Sequence, residues 1–306
     1  MLQATEKIWL NGKLIPWNDA KVHVLTHTLH YGTGVFEGIR CYKTDSGSAV
    51  FRLKEHVDRL FESMHICQME PRATREQVFD GILDTIRVNK IDACYIRPIA
   101  YIGYGAMGVF PKENPIDIAI AVWPWGSYLG EEGMKNGIRV KISSYNRPHI
   151  NATMVRSKTT ANYANGLLAK REALKDGYNE AVLLDTDGYV AEGSGENIFI
   201  VRRGKLKTPP LTAILEGITR DTVMQLAGEL GIPVEEQRFT RDEFYIADEA
   251  FFTGTAAEIT PIREVDNRKI GAGKTGPLTQ KIQAAFFDAV LGRDKKHAAW
   301  LTPVNK

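Results

Sequence analysis

Lys158 is the residue of this chain best suited to covalent chemistry. It stands between Ser157 and Thr159-Thr160, among small and hydroxyl-bearing neighbours and with no acid close to it in the sequence. An ammonium packed into a cleft loses hydration, and its neutral form becomes accessible. A neutral lysine amine is a nucleophile that forms an imine with an aldehyde. Taken alone, the same pattern describes a solvated lysine at a helix start, so the reading depends on what else the chain offers.

Glu192 ends a strand and precedes Gly193-Ser194-Gly195-Glu196-Asn197, where small residues leave room for its carboxylate to face a ligand nitrogen. Two stretches suit an anion. Gly217-Ile218-Thr219 opens an amphipathic helix, whose first N–H groups and positive dipole end attract negative charge. Thr219 adds a hydroxyl, and Asp221 in the first turn suits the dipole. Thr253-Gly254-Thr255-Ala256 follows a short strand and has the composition of an anion nest. Arg59 lies beside an apolar helical stripe, within reach of a phosphate. Each feature has an ordinary alternative, such as a capped helix or a solvated glutamate. Together they form the inventory of a pyridoxal phosphate site: an imine-forming lysine, two anion nests, an arginine and a placed acid.

Two further patterns carry less. Gly103-Tyr104-Gly105-Ala106-Met107-Gly108 matches GxGxxG after a strand. A dinucleotide site needs a helix opening at the last glycine, and Pro111 and Pro115 forbid it. A glycine loop bordering a pocket is the better reading. His23, His27 and His30 have the spacing of one helical face, but no carboxylate completes a metal set. They read as packed or hydrogen-bonded histidines.

These residues need a scaffold of short strands and separate helices. Asn11-Gly12 marks a hairpin within Lys7–Trp17, and Glu37–Tyr42 with Gly47–Phe51 reads as a second one. Leu53, Val57, Leu60 and Met64 stripe a helix, and Thr74 to Gln77 has capping-box spacing before another. Asp92–Ile102 and Ile116–Trp123 read as strands, the first carrying Tyr95, Arg97 and Tyr101 on one face. Pro124–Asn136 is Gly-rich and aperiodic, which places a boundary there. The expected division is a small α/β domain over 1–123, a connecting loop over 124–136 and a larger domain over 137–306. Strands are expected at Ile138–Ser143, Glu180–Asp185, Tyr189–Glu192, Asn197–Val201 and Ala250–Phe252. Helices are expected at Ala161–Asp176, Thr219–Leu230 and Gln280–Leu291. The fold class is α+β.

Composition narrows the function classes. At 306 residues, 43% hydrophobic and 25% charged, the chain has the profile of a soluble globular protein of two domains. A net charge of +2 with interspersed signs argues against nucleic acid or an anionic membrane as partner. No stretch approaches a membrane span, and no secretory signal opens the chain. Cys41, Cys67 and Cys94 lack metal or redox spacing and read as reduced thiols of a cytoplasmic protein.

At these residues the chain resembles the branched-chain amino acid aminotransferases, within the fold-type IV pyridoxal phosphate enzymes. The resemblance runs through Tyr31-Gly32, Phe36-Glu37-Gly38-Ile39-Arg40, His56 to Arg59-Leu60, Arg97-Pro98 and Lys158 to Tyr163. It continues through Glu180-Ala181, Glu192-Gly193, Glu196-Asn197-Ile198-Phe199, Gly217-Ile218-Thr219-Arg220 and Phe252 to Ala256. It implies a two-domain, D-amino acid aminotransferase-like fold with a larger pseudo-barrel domain. It implies that Lys158 holds the coenzyme covalently and moves a proton, and that Glu192 pairs with the pyridine nitrogen. Tyr163 would meet the ring's phenolic oxygen. Arg59, Gly217, Ile218, Thr219 and Thr255 would hold the phosphate. Thr255 and Ala256 would bind the substrate's α-carboxylate, and Phe36, Tyr163 and Trp125 would wall an apolar pocket that includes Gly38 and Tyr95. Arg97 would meet the distal carboxylate of glutamate, with Tyr31 and Tyr128 near it. Without the resemblance, Arg97 reads as a strand arginine paired to an acid. Tyr31, Met107 and Val109 match positions lent to a neighbouring subunit, so a homodimer is implied, or a hexamer built as a trimer of dimers. The implied reaction is ping-pong transamination between L-leucine, isoleucine or valine and 2-oxoglutarate. Arg97-Pro98-Ile99 resembles the branched-chain group and lacks the Arg-x-His of D-selective relatives; an aminodeoxychorismate lyase is the other relative of the same fold.

Overall fold

The computed structural model describes residues 2–126 and 129–305, and the chain divides into two compact units. The first comprises 1–125, Ser157–Ala161 and 288–306; the second comprises 126–156 and 162–287.

The first unit is built on an antiparallel sheet. Its elements are β1 (Lys7–Leu10), β2 (Lys13–Pro16), α1 (His27–Tyr31), β3 (Gly34–Phe36), β4 (Ile39–Thr44), β5 (Gly47–Phe51), α2 (Leu53–Ile66), α3 (Arg75–Asn89), β6 (Cys94–Ile102) and β7 (Ile116–Trp123). The turn between β1 and β2 has positive φ at both Asn11 and Gly12, as the hairpin signal requires. The capping box of α3 forms in both directions, with Gln77 N donating to Thr74 Oγ1 and Thr74 N to Gln77 Oε1. Leu53, Val57, Leu60 and Met64 of α2 and Val78, Ile82 and Ile86 of α3 are all buried in one core. The His- and Gly-rich stretch, which shows no period, contains the five-residue helix α1, ended by Gly32 in the left-handed region. Pro98 lies inside β6 where an N–H would normally join a ladder. It is tolerated because β3 and β4 both pair with β6 but break at Glu37-Gly38, opposite Pro98.

The second unit carries α4 (Glu131–Asn136), β8 (Ile138–Ile142), α5 (Asn162–Lys175), β9 (Glu180–Leu184), β10 (Val190–Gly193), β11 (Asn197–Arg202), β12 (Lys205–Thr208), α6 (Ile218–Glu229), β13 (Val234–Glu236), α7 (Arg241–Tyr245), β14 (Glu249–Gly254), β15 (Glu258–Val265) and β16 (Arg268–Lys269). Its mixed sheet runs β10-β9-β8-β15-β14-β11-β12-β13, and β10 pairs with β11 as well as β9. Strands β10, β9, β8, β15, β14 and β11 therefore close a ring around Val140, Ile198, Phe252 and Ile262. Helix α4 occupies part of the stretch expected to be irregular; Gly130 at positive φ starts it, and Glu131 and Glu132 suit its first turn. The last helix, α8 (Pro277–Val290), carries the chain back to the first unit, where β17 (Leu301–Pro303) pairs with β5. Among the described residues, no helix is long and apolar enough to cross a membrane.

Candidate active site

Lys158 is held from two sides within the first unit. Its carbonyl accepts from Phe36 N at 3.1 Å, and Thr160 N donates to Gly34 O at 2.8 Å, so 158–160 runs along β3. Its own N–H donates to Ser63 Oγ at 3.1 Å, and Ser157 Oγ donates to Ser63 O at 3.2 Å. The half-buried Lys158 ammonium lies 5.2 Å over the centre of the Phe36 ring. Ser63 is one helical turn beyond Arg59 on α2, so one helix face meets both the lysine segment and the arginine.

Arg59 is oriented by a buried carboxylate. Its Nε and Nη2 donate to Glu37 at 2.7 and 2.8 Å, and His56 Nδ1 lies 2.7 Å from the same group. A carboxylate only accepts, so Nδ1 carries the imidazole proton. Burial alone would raise the Glu37 carboxyl, but the Arg59 charge and the His56 hydrogen bond hold it well below the usual carboxylate range. Burial lowers His56, which favours its neutral form. Glu37→Ala is expected to cost about 3–5 kcal/mol of stability near neutral pH, because it removes the buried carboxylate that balances the Arg59 charge. Glu37 is depressed from an ordinary value of 4.5, so its contribution is present above that value and is lost as pH falls below it. Urea denaturation should show the gap between wild type and variant narrowing in acid; a gap constant with pH would contradict this.

Arg97 sits in an aromatic cage. Its guanidinium lies 4.7 Å from the Phe36 ring centre, 5.3 Å from Tyr95 and 6.0 Å from Trp123. Trp125 packs 5.2 Å from Tyr95. The cage closes because Gly38 has no side chain: a Cβ there would collide with Tyr95 Oη, which accepts from Arg97 Nη2 at 3.3 Å. Among the described residues no acid pairs with Arg97, and its buried Nε has no partner. The arginine–acid pair read from sequence is therefore absent. Trp123 completes the cage without having been singled out. Tyr128 lies outside the described residues.

Tyr31, Met107 and Val109 are exposed, at 42%, 43% and 91%. His27 brings their segments together: its Nε2 lies 2.7 Å from Gly108 O, and its ring stacks on Tyr31 at 4.4 Å. His30 Nε2 lies 2.9 Å from Val24 O, and His23 Nδ1 accepts from Leu25 N. The GxGxxG stretch is a loop clamped by Asn114, which accepts from Ala106 N at 2.7 Å; a Cβ on Gly105 would collide with that amide.

In the second unit, Glu192 is fixed through both oxygens. Oε1 pairs with Arg147 Nη2 at 2.9 Å, and Oε2 accepts from Asn197 Nδ2 at 3.1 Å and Leu215 N at 3.2 Å. Asn197 also donates to Leu215 O at 3.0 Å, and a Cβ on Gly217 would collide with Asn197 Oδ1. The acid is thus tied to the turn that opens α6. No side chain caps that helix at Gly217, an arrangement in which the N–H groups of its first turn suit an anion. Thr219 is buried there. Arg220 turns away and bonds to Glu236 and Pro209 O. Thr255 and Ala256 form the turn between β14 and β15, half-buried. The Tyr163 ring passes over Gly195, where a Cβ would come within 3.7 Å of it. Sequence reasoning missed Arg147, which sits before Pro148 in an aperiodic loop with no spacing signal, and Asn197, which appeared only inside a motif. The orphaned buried donors Arg147 Nε and Thr253 Oγ1, together with the uncapped helix, fit a polar, anionic coenzyme.

A mixed-sheet ring with an acid fixed against an anion-ready helix, and a lysine held separately on a β edge, define a class of enzyme. The family model for class IV amino-transferases matches residues 34–265, and the chain belongs to that family. A branched-chain-amino-acid aminotransferase of Pseudomonas aeruginosa is 52% identical over 97% of this chain and 97% of its own. The crystal structure of the Escherichia coli branched-chain amino acid aminotransferase superposes with a TM-score of 0.97 at 46% identity, covering 99% of this chain and 100% of that one. A branched-chain aminotransferase from the thermophilic archaeon Thermoproteus uzoniensis, solved with norvaline, gives a TM-score of 0.94 at 46% identity over 98% of this chain and 100% of that one.

Proposed function

We propose that this protein is a pyridoxal phosphate-dependent branched-chain amino acid aminotransferase. It transfers the amino group reversibly between L-leucine, L-isoleucine or L-valine and 2-oxoglutarate in a ping-pong cycle. The observation that carries this reading is Arg97, a cation caged by Phe36, Tyr95 and Trp123 with no acidic partner among the described residues. Such a cage offers apolar walls to a branched side chain and a charge to glutamate's distal carboxylate.

When bound, the coenzyme supplies the electron sink for the carbanion left at the substrate's Cα. Lys158 would anchor it and would carry the proton to and from that carbon. Glu192, oriented by Arg147 and Asn197, holds the proton on the pyridine nitrogen. Arg59, Gly217, the first N–H groups of α6 at Ile218 and Thr219, and Thr255 would take the phosphate; Gly217 also leaves room for Asn197 beside the turn. Tyr163 meets the ring's phenolic oxygen, and Thr255 and Ala256 take the α-carboxylate. Coenzyme binding is assigned to the larger domain expected over 137–306, which contains Lys158 and Glu192. The exposed Tyr31, Tyr104, Met107, Val109 and Phe110 form an apolar surface suited to a second copy of the chain, which supports a homodimer. The free thiols Cys41, Cys67 and Cys94 fit the reducing cytoplasm.

A substrate panel tests the reading. Amino transfer to 2-oxoglutarate is expected from L-leucine and not from D-alanine, with no release of pyruvate from aminodeoxychorismate. Preference for D-alanine, or acceptor-independent pyruvate, would overturn it.

A further inference from the structure

Glu196 is buried four residues beyond Glu192, in the same turn, and the mechanism above gives it no task. Its side chain fills a notch made by two glycines on flanking strands. A Cβ on Gly193 would lie 2.6 Å from Glu196 Oε2, and one on Gly254 would lie 3.7 Å from Glu196 Cγ. Gly195 N donates to Oε2 at 3.0 Å, and Gly193 N donates to the Glu196 carbonyl at 2.7 Å. Glu192 and Asn197, the ends of this turn, are cross-strand partners, and Asn197 grips the Glu192 carboxylate. The turn thus folds around the Glu196 carboxyl group, between the Glu192 strand and the strand leading to Thr255.

We propose that Glu196 is a positioning residue for the coenzyme: its carboxyl group clamps the 193–195 turn and so fixes the aim of Glu192. The inference rests on the assignment of Glu192 to the coenzyme. The charged groups around Glu196 support it. Burial and the nearby Glu180 carboxylate push the Glu196 carboxyl up to about 8, with Glu192 adding to the rise and Lys170 opposing it. Lys170 is already engaged by Glu180, and Glu192 by Arg147, so neither cation is left to Glu196 alone. A value raised this far favours the neutral form near neutral pH. Above its raised value a third carboxylate appears beside Glu180 and Glu192, and the turn must open or rehydrate to accommodate it.

The test is the affinity of the apoenzyme for pyridoxal phosphate, followed by fluorescence quenching from about pH 6 to about pH 10. Wild type is expected to lose about tenfold in affinity as the pH passes about 8. Glu196→Gln keeps the neutral shape and should retain neutral-pH affinity within about threefold while losing the alkaline fall. Glu196→Ala should bind weakly at every pH. An alkaline fall that persists in Glu196→Gln, or full affinity in Glu196→Ala, would overturn the proposal. A wild type that binds no coenzyme at any pH would sink the coenzyme assignment instead. The proton would then be read directly, as a protonated-carboxyl C=O band in the infrared spectrum of the apoenzyme at neutral pH. Its loss in Glu196→Gln supports the inference, and a spectrum identical to wild type contradicts it.

Discussion

Lys158→Ala is expected to lower turnover with L-leucine and 2-oxoglutarate by at least about 10⁴-fold, the upper end of what one positioned acid–base group supplies. The loss should be in kcat more than in KM, because the role proposed for the side chain is at the reacting carbon rather than at the substrate's periphery. The fold should survive. Lys158 is held by its backbone, through Phe36 N, Ser63 Oγ and the Thr160–Gly34 bond, and alanine keeps all three contacts. Thermal denaturation within a few degrees of wild type, beside abolished turnover, is the expected pair of results. Wild-type-like turnover would remove Lys158 from the chemistry.

Arg97→Met should separate the two substrates. Methionine keeps an apolar stem against Phe36 and Tyr95 but removes the charge. A charge-assisted bond to a carboxylate is worth about 1.5–3 kcal/mol, and a bidentate pair supplies two. The kcat/KM of the glutamate half-reaction is therefore expected to fall about 10²–10⁴-fold, and that of the leucine half-reaction by less than about fivefold. Single-turnover kinetics with each amino acid measures both. An equal loss for both would make Arg97 a scaffold of the aromatic cluster rather than the distal carboxylate's partner.

Much of this arrangement is legible in the sequence because local rules carry it. The Asn11-Gly12 hairpin, the Thr74 capping box and the α2 stripe need only near neighbours, and each forms. Strand β15, by contrast, gives no clear signal: Pro261 interrupts Glu258–Val265, and its place depends on pairing with β14 on one side and β8 on the other. The closure of the second unit's ring is equally non-local, because it rests on β8 against β15 and β11 against β14. The same distinction runs through the site. Lys158, Glu192 and the Gly217 turn announce themselves by residue type and immediate setting. Arg147 and Trp123 do not, because nothing near them in the chain tells which side chain they will meet. Glu37 stood inside a motif, but its buried clamp on His56 and Arg59 emerges only when β3 and α2 pack together. The inclusion of Ser157–Ala161 in the first unit follows from pairing along β3, more than 120 residues earlier, which no local pattern announces.

The most direct test of the whole account is the absorption spectrum of the purified protein, recorded before and after L-leucine is added without an acceptor. The expected result is a coenzyme band that converts to the pyridoxamine form with leucine and returns with 2-oxoglutarate. A protein that takes up no coenzyme, or whose band ignores leucine, would contradict it.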